Sequence, residues 1–392
     1  MQKETPITKT TTRLVYGKVE NTGIPEDYQP SSFKLVETDP SKIDHPENTI
    51  VLNTIPVKPI NEPPDPDGHS QWIVLAQTKR KILDLSDYPQ PVPRPVGPPA
   101  YVVRRTPTMG MGVFATRDIK IGDLIFSERP LLVIPRNLGS LGIRMPEGYD
   151  NKTHQMITMF EWEKQLEIAV NRMNPEDQSV FRSLANNHTE DGSGPLLGIV
   201  RTNGYSIYDL YDGRDRHPED ATAYTGVANI GSRINHSCMP NVAHDFSLPS
   251  FSFQFTARRD ITTGEQLFFA YCALNQSVAR RQAELAPYGI VCECTSCANA
   301  TPETDKFREE YEQRLKDCIR EVVQLIAAPH VTENALDPVL QFRKMLIQEG
   351  LHIGGAYASL LLVIHQLYVK LGLPERAKNY LEEYERYRST AH

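Results

Sequence analysis

Residues 233–241 read Arg233-Ile234-Asn235-His236-Ser237-Cys238-Met239-Pro240-Asn241. Asn, His, Ser and Pro in immediate succession continue neither a helix nor a strand, so the segment is a structured loop rich in donors and acceptors. Taken alone, His236 is more often a satisfied structural histidine than part of a ligand site, although a donor-rich loop is also a usual place for one. The loop gains weight from Cys292-Glu293-Cys294-Thr295-Ser296-Cys297 further along. Three thiolates at C-x-C-x2-C spacing can wrap one Zn²⁺, and tetrahedral zinc asks for a fourth ligand. No Cys or His stands in the dozen residues after Cys297. Cys238 is therefore the expected fourth ligand of one structural zinc. The competing reading is a set of free thiols, which at this spacing would be an oxidation liability.

Two weaker motifs flank these. Met109-Gly110-Met111-Gly112 follows a short strand expected over 101–105. It lacks the third glycine and the helix of a dinucleotide-binding turn. It is either a plain hairpin turn or a place where backbone must approach a ligand. Gly264-Glu265-Gln266-Leu267-Phe268-Phe269-Ala270-Tyr271 is a turn leading into an apolar strand that ends in tyrosine. A strand tyrosine by itself is far more often core than catalytic.

The rest of the 392 residues bounds the problem. Six cysteines are too few for a disulfide scaffold. A formal charge of −7 argues against nucleic-acid binding as the main task, because phosphate contacts need clustered Lys and Arg. No run of about 18 apolar residues predicts a membrane span, and MQKETPITKTTTRL has no apolar core of signal-peptide length. An intracellular location, nucleus and/or cytoplasm, is the expectation. Sixteen of the 30 prolines fall in the first hundred residues. Residues 1–98 are accordingly expected to be a Pro-rich, partly disordered extension, with 49–52 and 72–76 able to pair as strands and 89–99 an extended linker. Helical spacing runs through 152–186, where Met156, Met159, Trp162, Leu166 and Ala169 are three or four apart. Phe251, Phe253 and Phe255 alternate as on a half-buried strand. From 302 onward amphipathic stretches predict helices at about 305–328, 338–349, 356–371 and 374–388.

Together the four motifs resemble the SET-domain protein-lysine methyltransferases. Residues 104–115 are similar to that family's opening motif, 233–241 to its N-H-S-C-x-P-N motif, 264–271 to its G-E-x-L-x-x-x-Y motif and 292–297 to its post-SET zinc cluster, in the family's order. Thr202-Asn203-Gly204-Tyr205-Ser206-Ile207 resembles the asparagine–aromatic segment of the SET-and-MYND group. Residues 137–199 hold no cysteine, so the MYND zinc finger is expected to be absent. A second departure is Ile290, where the family places an aromatic ring, with Tyr288 as a substitute.

The resemblance implies an α+β fold: a SET β-clip of short, mostly antiparallel sheets, with 235–241 threaded near the Tyr271 strand as a pseudoknot. The implied parts are a first SET segment at 99–136, a helical insertion at 137–199, a second SET segment with the catalytic motifs at 200–275, a post-SET zinc segment at 276–300 and a helical C-terminal region at 301–392. It implies transfer of a methyl group from S-adenosyl-L-methionine to a lysine of a protein substrate, histone or non-histone, with Tyr271 as the catalytic hydroxyl. The implied cofactor contacts are Met109, Gly110, Met111, Gly112, Asn203, Asn235, His236, Tyr271, Tyr288 and Ile290. Cys238, Cys292, Cys294 and Cys297 would hold the zinc. A monomer that binds neither membrane nor nucleic acid directly is expected. The rival reading is an inactive SET-fold protein serving as an interaction module. A zinc hydrolase would need an open coordination position and a general base, and neither is apparent near 292–297.

Overall fold

A computed structural model describes residues 20–30, 35–37, 42–47, 49–57, 63–136, 147–208, 210 and 224–388. The first residues of the expected insertion, 137–146, lie outside the described residues. In chain order the first half gives β1 (Val36–Glu37), β2 (Ile50–Ile55), β3 (Ser70–Leu75), α1 (Ala76–Leu83), β4 (Tyr101–Arg105), β5 (Met111–Ala115), β6 (Leu124–Glu128) and β7 (Leu132–Pro135). Helices α2 (Asn151–Asn171), α3 (Pro175–Arg182) and α4 (Pro195–Asn203) follow, then β8 (Gly204–Ile207), β9 (Tyr224–Val227), β10 (Asn235–His236), β11 (Val242–Ser247), β12 (Ser252–Ala257) and β13 (Phe268–Phe269). The remainder is helical: α5 (Val278–Leu285), α6 (Thr295–Ala298), α7 (Pro302–Ala327), α8 (Asp337–Gln348), α9 (Gly354–Lys370) and α10 (Pro374–Arg388).

The strands form four small sheets, ordered β1-β2-β3-β7-β9-β8, β11-β12-β6, β4-β5 and β10-β13. Pairing is mostly antiparallel, as expected. The parallel exceptions are β1 with β2, β3 with β7 and β10 with β13. The alternating Phe251, Phe253 and Phe255 are all fully buried on or beside β12.

Within the Pro-rich first hundred residues the two expected strand segments pair, and they are packed into the rest of the chain more closely than a partly disordered extension would be. β2 and β3 pair antiparallel over six residues, from Ile50↔Leu75 to Ile55↔Ser70, and β3 continues in parallel onto β7. Val51, Ile55, Trp72 and Val74 share one core with Phe251, Phe253 and Phe255. The prolines bracket this hairpin and leave its strands uninterrupted, so they do not cost ladder hydrogen bonds. A boundary at 98 therefore divides residues that pack as one unit.

The insertion is helical for reasons visible in its ends. Asp150 caps α2 by accepting from the Thr153 N–H at 2.8 Å. Asn174 does the same for α3, which starts on Pro175. Met156, Met159, Trp162, Leu166 and Ala169 of α2 lie buried against Leu196, Leu197 and Val200 of α4 and Leu132 and Ile134 of β7. This packing fixes the position of Asn203, the last residue of α4, and hence of β8.

The C-terminal helices share a core with the cysteine-rich segment. Cys238, Cys272 and Cys292 cluster with Phe307, Leu315, Leu346, Leu351 and Leu361. Gly350 adopts φ of +67°, and a Cβ there would lie 2.9 Å from Met239 Cα. Glycine at this position lets the helical region close onto the 235–241 loop.

Candidate active site and metal centre

The 235–241 loop is built around β13. Asn235 and His236 pair parallel with Phe268 and Phe269. Ser237 N–H donates to Phe269 O at 3.0 Å and Asn241 N–H to Phe268 O at 3.1 Å. The fully buried Asn241 side chain accepts from Phe268 N–H at 2.7 Å and donates to Gln266 O at 2.9 Å. Leu267 N–H donates to Val113 O at 2.8 Å, so the strand is gripped by the loop and by β5. This is the threading the pseudoknot expectation describes.

The expected strand to Tyr271 stops at Phe269. The partner chain turns away at Ser237, and the Tyr271 N–H loses its ladder acceptor. It donates instead to His236 Nδ1 at 2.9 Å. The phenol donates to Ile234 O at 2.5 Å. Burial, and then the neighbouring Tyr288, push the Tyr271 hydroxyl well above its ordinary pKa, so it is a neutral donor. The two rings stand 5.4 Å apart at 50°.

Tyr271 lines a cavity of about 860 Å³ together with Phe269, Tyr205, Asn203, Ser232 and Tyr288. Asn203 is anchored there by donating to Ala185 O and Ile199 O, both at 2.7 Å. Ile290 does not line this cavity; it packs on the C-terminal core instead. Met109, Gly110, Met111 and Gly112 lie outside the cavity wall too, on the β4–β5 hairpin, tied to the loop by Asn235 Nδ2 donating to Met111 O at 3.0 Å. Gly110 has φ of +69°. At Gly112 a Cβ would meet Gln266 Nε2 and Thr106 Cγ2 at 2.8 Å. Close packing of protein on protein thus accounts for the second glycine.

The His236 ring also departs from a direct cofactor contact. It is 6% exposed, with Nδ1 engaged by Tyr271 N–H and Nε2 lying 3.4 Å from Cys238 Sγ.

Cys238, Cys292, Cys294 and Cys297 converge, with all four sulfurs within 4.8 Å of one another. Cys238 Sγ stands 3.9 Å from Cys292 Sγ and 3.5 Å from Cys297 Sγ. A zinc tetrahedron with arms of about 2.3 Å has S···S edges of about 3.8 Å, so the spacing fits the metal. The segment is held for this. Gln282 grips Cys292 through both main-chain groups, at 2.8 and 3.0 Å. Cys294 caps the single turn α6, which brings Cys297 back beside it. Hydrogen bonding with Cys238 lowers Cys294, and lowers Cys297 to about 6.

Several supporting residues escaped the sequence reading. Glu128 accepts from the N–H groups of Asn229, Ile230 and Gly231 at 3.1, 3.0 and 2.6 Å, and so fixes the approach to the loop. Tyr205 donates to Gly231 O at 2.7 Å. Arg281, fully buried, points Nη2 at Cys297 Sγ at 3.7 Å. Arg308, 1% exposed, binds Glu349 Oε2 at 2.9 Å, Leu274 O at 3.0 Å and Ser296 Oγ at 2.6 Å. Only the asparagine–aromatic segment carrying Tyr205 bore a motif; the others are ordinary charged residues in sequence.

The SET domain family matches residues 110–272. Histone-lysine N-methyltransferase set5 of Schizosaccharomyces pombe is 30% identical over 217 residues, 55% of this chain and 55% of that protein. Protein-lysine N-trimethyltransferase SMYD5 of Danio rerio is 30% identical over 92 residues, 22% of each chain. The human protein of the same name is 32% identical over 90 residues, again 22% of each. The chain thus spans about half the length of the first of these relatives and about a fifth of the others. Among the described residues, no helix is long and apolar enough to cross a membrane.

Proposed function

We propose, from the premise that this chain carries a SET domain, that it transfers a methyl group from S-adenosyl-L-methionine to a lysine side chain of a protein. The observation that carries this is Tyr271: its neutral, half-buried phenol donates to Ile234 O, its backbone N–H donates to His236 Nδ1, and it lines a cavity in a chain that also gathers a thiol cage of zinc dimensions. The cavity is in the range of small-molecule sites. The residues suit a polar cofactor. Gln266 Nε2 is buried without a partner, and it lies at the glycine turn where a side chain would collide. An orphaned amide of this kind is satisfied by a bound polar group.

The cofactor, when bound, supplies an electrophilic methyl on a sulfonium. The turn at Met109–Gly112, Asn235, the His236 backbone, Asn203 and Tyr288 are the groups we assign to holding it. Tyr271, Phe269 and Tyr205 give the lysine an aromatic surround on one wall of a cavity that Arg136, Arg201, Asp245 and Glu284 also line. Such a surround disfavours the ammonium and favours the neutral amine that can act as nucleophile. Tyr271, fixed at both its N–H and its hydroxyl, contributes alignment, which is where most of the acceleration arises. Four thiolates leave no open position on a zinc, so the metal is structural and joins the catalytic loop to the post-SET segment. The substrate is a protein, histone or non-histone.

The test is transfer of label from methyl-labelled cofactor into proteins of a lysate. Tyr271→Phe should lower the rate by about 10²-fold, the scale for misplacing the reacting groups by about 1 Å. Transfer by the variant at the parent rate would remove Tyr271 from this role. Calorimetry showing no cofactor binding to the parent protein would favour the interaction-module reading.

A further inference from the structure

His236 stands between the thiol cage and the reacting tyrosine, and its two ring nitrogens have different partners. Nδ1 lies 2.9 Å from the backbone nitrogen of Tyr271. A peptide N–H can only donate, so Nδ1 is an acceptor and carries no proton. The proton of the ring therefore sits on Nε2. Nε2 lies 3.4 Å from Cys238 Sγ, a fitting separation for an N–H···S bond to a thiolate. His236, Cys238 and Cys272 also bring their ligand atoms within 4.8 Å of one another, the spacing of a second metal site. The forced tautomer removes His236 as a ligand there, because the nitrogen facing the sulfurs already holds hydrogen. The ring is confined in this orientation: it is 6% exposed and tilted against the Tyr271 ring at 5.4 Å.

We propose that His236 is a positioning residue that couples the metal cage to Tyr271: its Nε2–H donates to the Cys238 sulfur while its Nδ1 holds the Tyr271 backbone N–H. A metal-bound thiolate is a strong acceptor and holds the Nε2 proton in place. That fixes the tautomer, and the tautomer in turn supplies the only kind of nitrogen to which Tyr271 N–H can donate. Loading the cage thereby orders the backbone of the residue that contacts the reacting groups. This rests on the zinc and methyl-transfer readings above.

Two substitutions separate the halves of the bridge. In His236→Asn the side-chain oxygen falls where Nδ1 was, which keeps the Tyr271 bond and cuts the sulfur bond. In His236→Gln the terminal amide reaches the Nε2 position, which keeps the sulfur bond and cuts the Tyr271 bond. The full chain is loaded with zinc, or with cobalt(II) as a spectroscopic probe. His236→Asn should move the thiolate-to-cobalt charge-transfer band to lower energy and weaken metal retention about 10-fold, within the range for loss of an outer-shell partner. His236→Gln should leave the band in place and lower kcat with little change in KM. Nitrogen-15 spectra of the loaded parent protein should show Nε2 protonated and Nδ1 bare. A protonated Nδ1, or a His236→Asn band and metal retention equal to the parent's, would overturn the bridge while leaving methyl transfer intact. A chain that binds cobalt without a thiolate charge-transfer band would fail the zinc reading itself, and the bridge with it.

Discussion

Arg308→Met isolates what ties the C-terminal helices to the metal segment. The Arg308 guanidinium is 1% exposed and binds Glu349 Oε2, Leu274 O and Ser296 Oγ, the last on the turn between Cys294 and Cys297. Methionine fills much of the same volume but donates nothing. Ser296 keeps a partner in Glu349 Oε2 at 3.1 Å. Leu274 O loses its guanidinium donor, and the Glu349 carboxylate loses its counter-ion. Removing one partner of a buried ion pair costs about 3–5 kcal/mol, mostly through the charge left behind. For a domain of this size each kcal/mol moves the melting temperature by about 2–4 °C. Thermal unfolding of the zinc-loaded variant should therefore fall by roughly 6–20 °C, and a chelator should strip the metal faster. Adding Glu349→Leu removes the orphaned charge and should restore most of the loss, since well-packed apolar replacements of buried pairs are often neutral. A single variant that melts within a degree of the parent and keeps its zinc equally well would refute the view that Arg308 locks the two parts together.

Burial holds His244 and His352 neutral, each down to about 4. The unfolded chain takes up these protons near pH 6.5 and the folded chain only near 4, so stability falls as pH drops from 7 towards 4, by about 2 kcal/mol per histidine at pH 5. His352→Phe should flatten that slope in thermal scans, and an unchanged slope would contradict the assignment. Trp72→Ala should cost about 3–5 kcal/mol, lowering the unfolding midpoint of the core it shares with Phe251, Phe253 and Phe255. Trp72→Phe should cost less than half as much, because the buried indole N–H has no partner to lose. A melting curve unmoved by Trp72→Ala would mean that the β2–β3 hairpin is not part of the core. Gly350→Ala should destabilise by about 1–2 kcal/mol from its left-handed backbone alone, and more if Met239 cannot yield; a gain in stability would rule out the close approach. Cys294→Ser should abolish tight zinc retention in a metal assay, and retention equal to the parent's would remove Cys294 from the cage.

The motifs and most of the helices were legible because each rests on local chemistry. Cys292, Cys294 and Cys297 are close in sequence, and their spacing alone implies a metal turn. Cys238 was reachable by elimination, since tetrahedral zinc lacked one ligand. The periodicity of Met156 through Ala169 marked α2, and alternating phenylalanines marked β12. The strand segments around Leu52 and Trp72 were legible too, but the prolines around them lowered the expectation of order and hid how far this hairpin is buried in the core. Ile290 was placed by analogy of position, and burial against the C-terminal helices carries it elsewhere. The strand to Tyr271 was drawn two residues too long, because nothing local shows where its partner turns away.

What the sequence settled by itself was chemistry carried by neighbours along the chain: the thiol turn, the donor-rich loop, the phenol after an apolar strand and the amphipathic helices. The tertiary structure alone decided which distant groups share a hydrogen bond. Glu128 reaching three amides, Arg308 reaching Ser296, and His236 linking Tyr271 to Cys238 all join groups whose pairing no local pattern marks. A buried polar group must find its partner wherever the fold brings one within about 3 Å, and that distance is set by packing across the whole chain rather than by any local pattern.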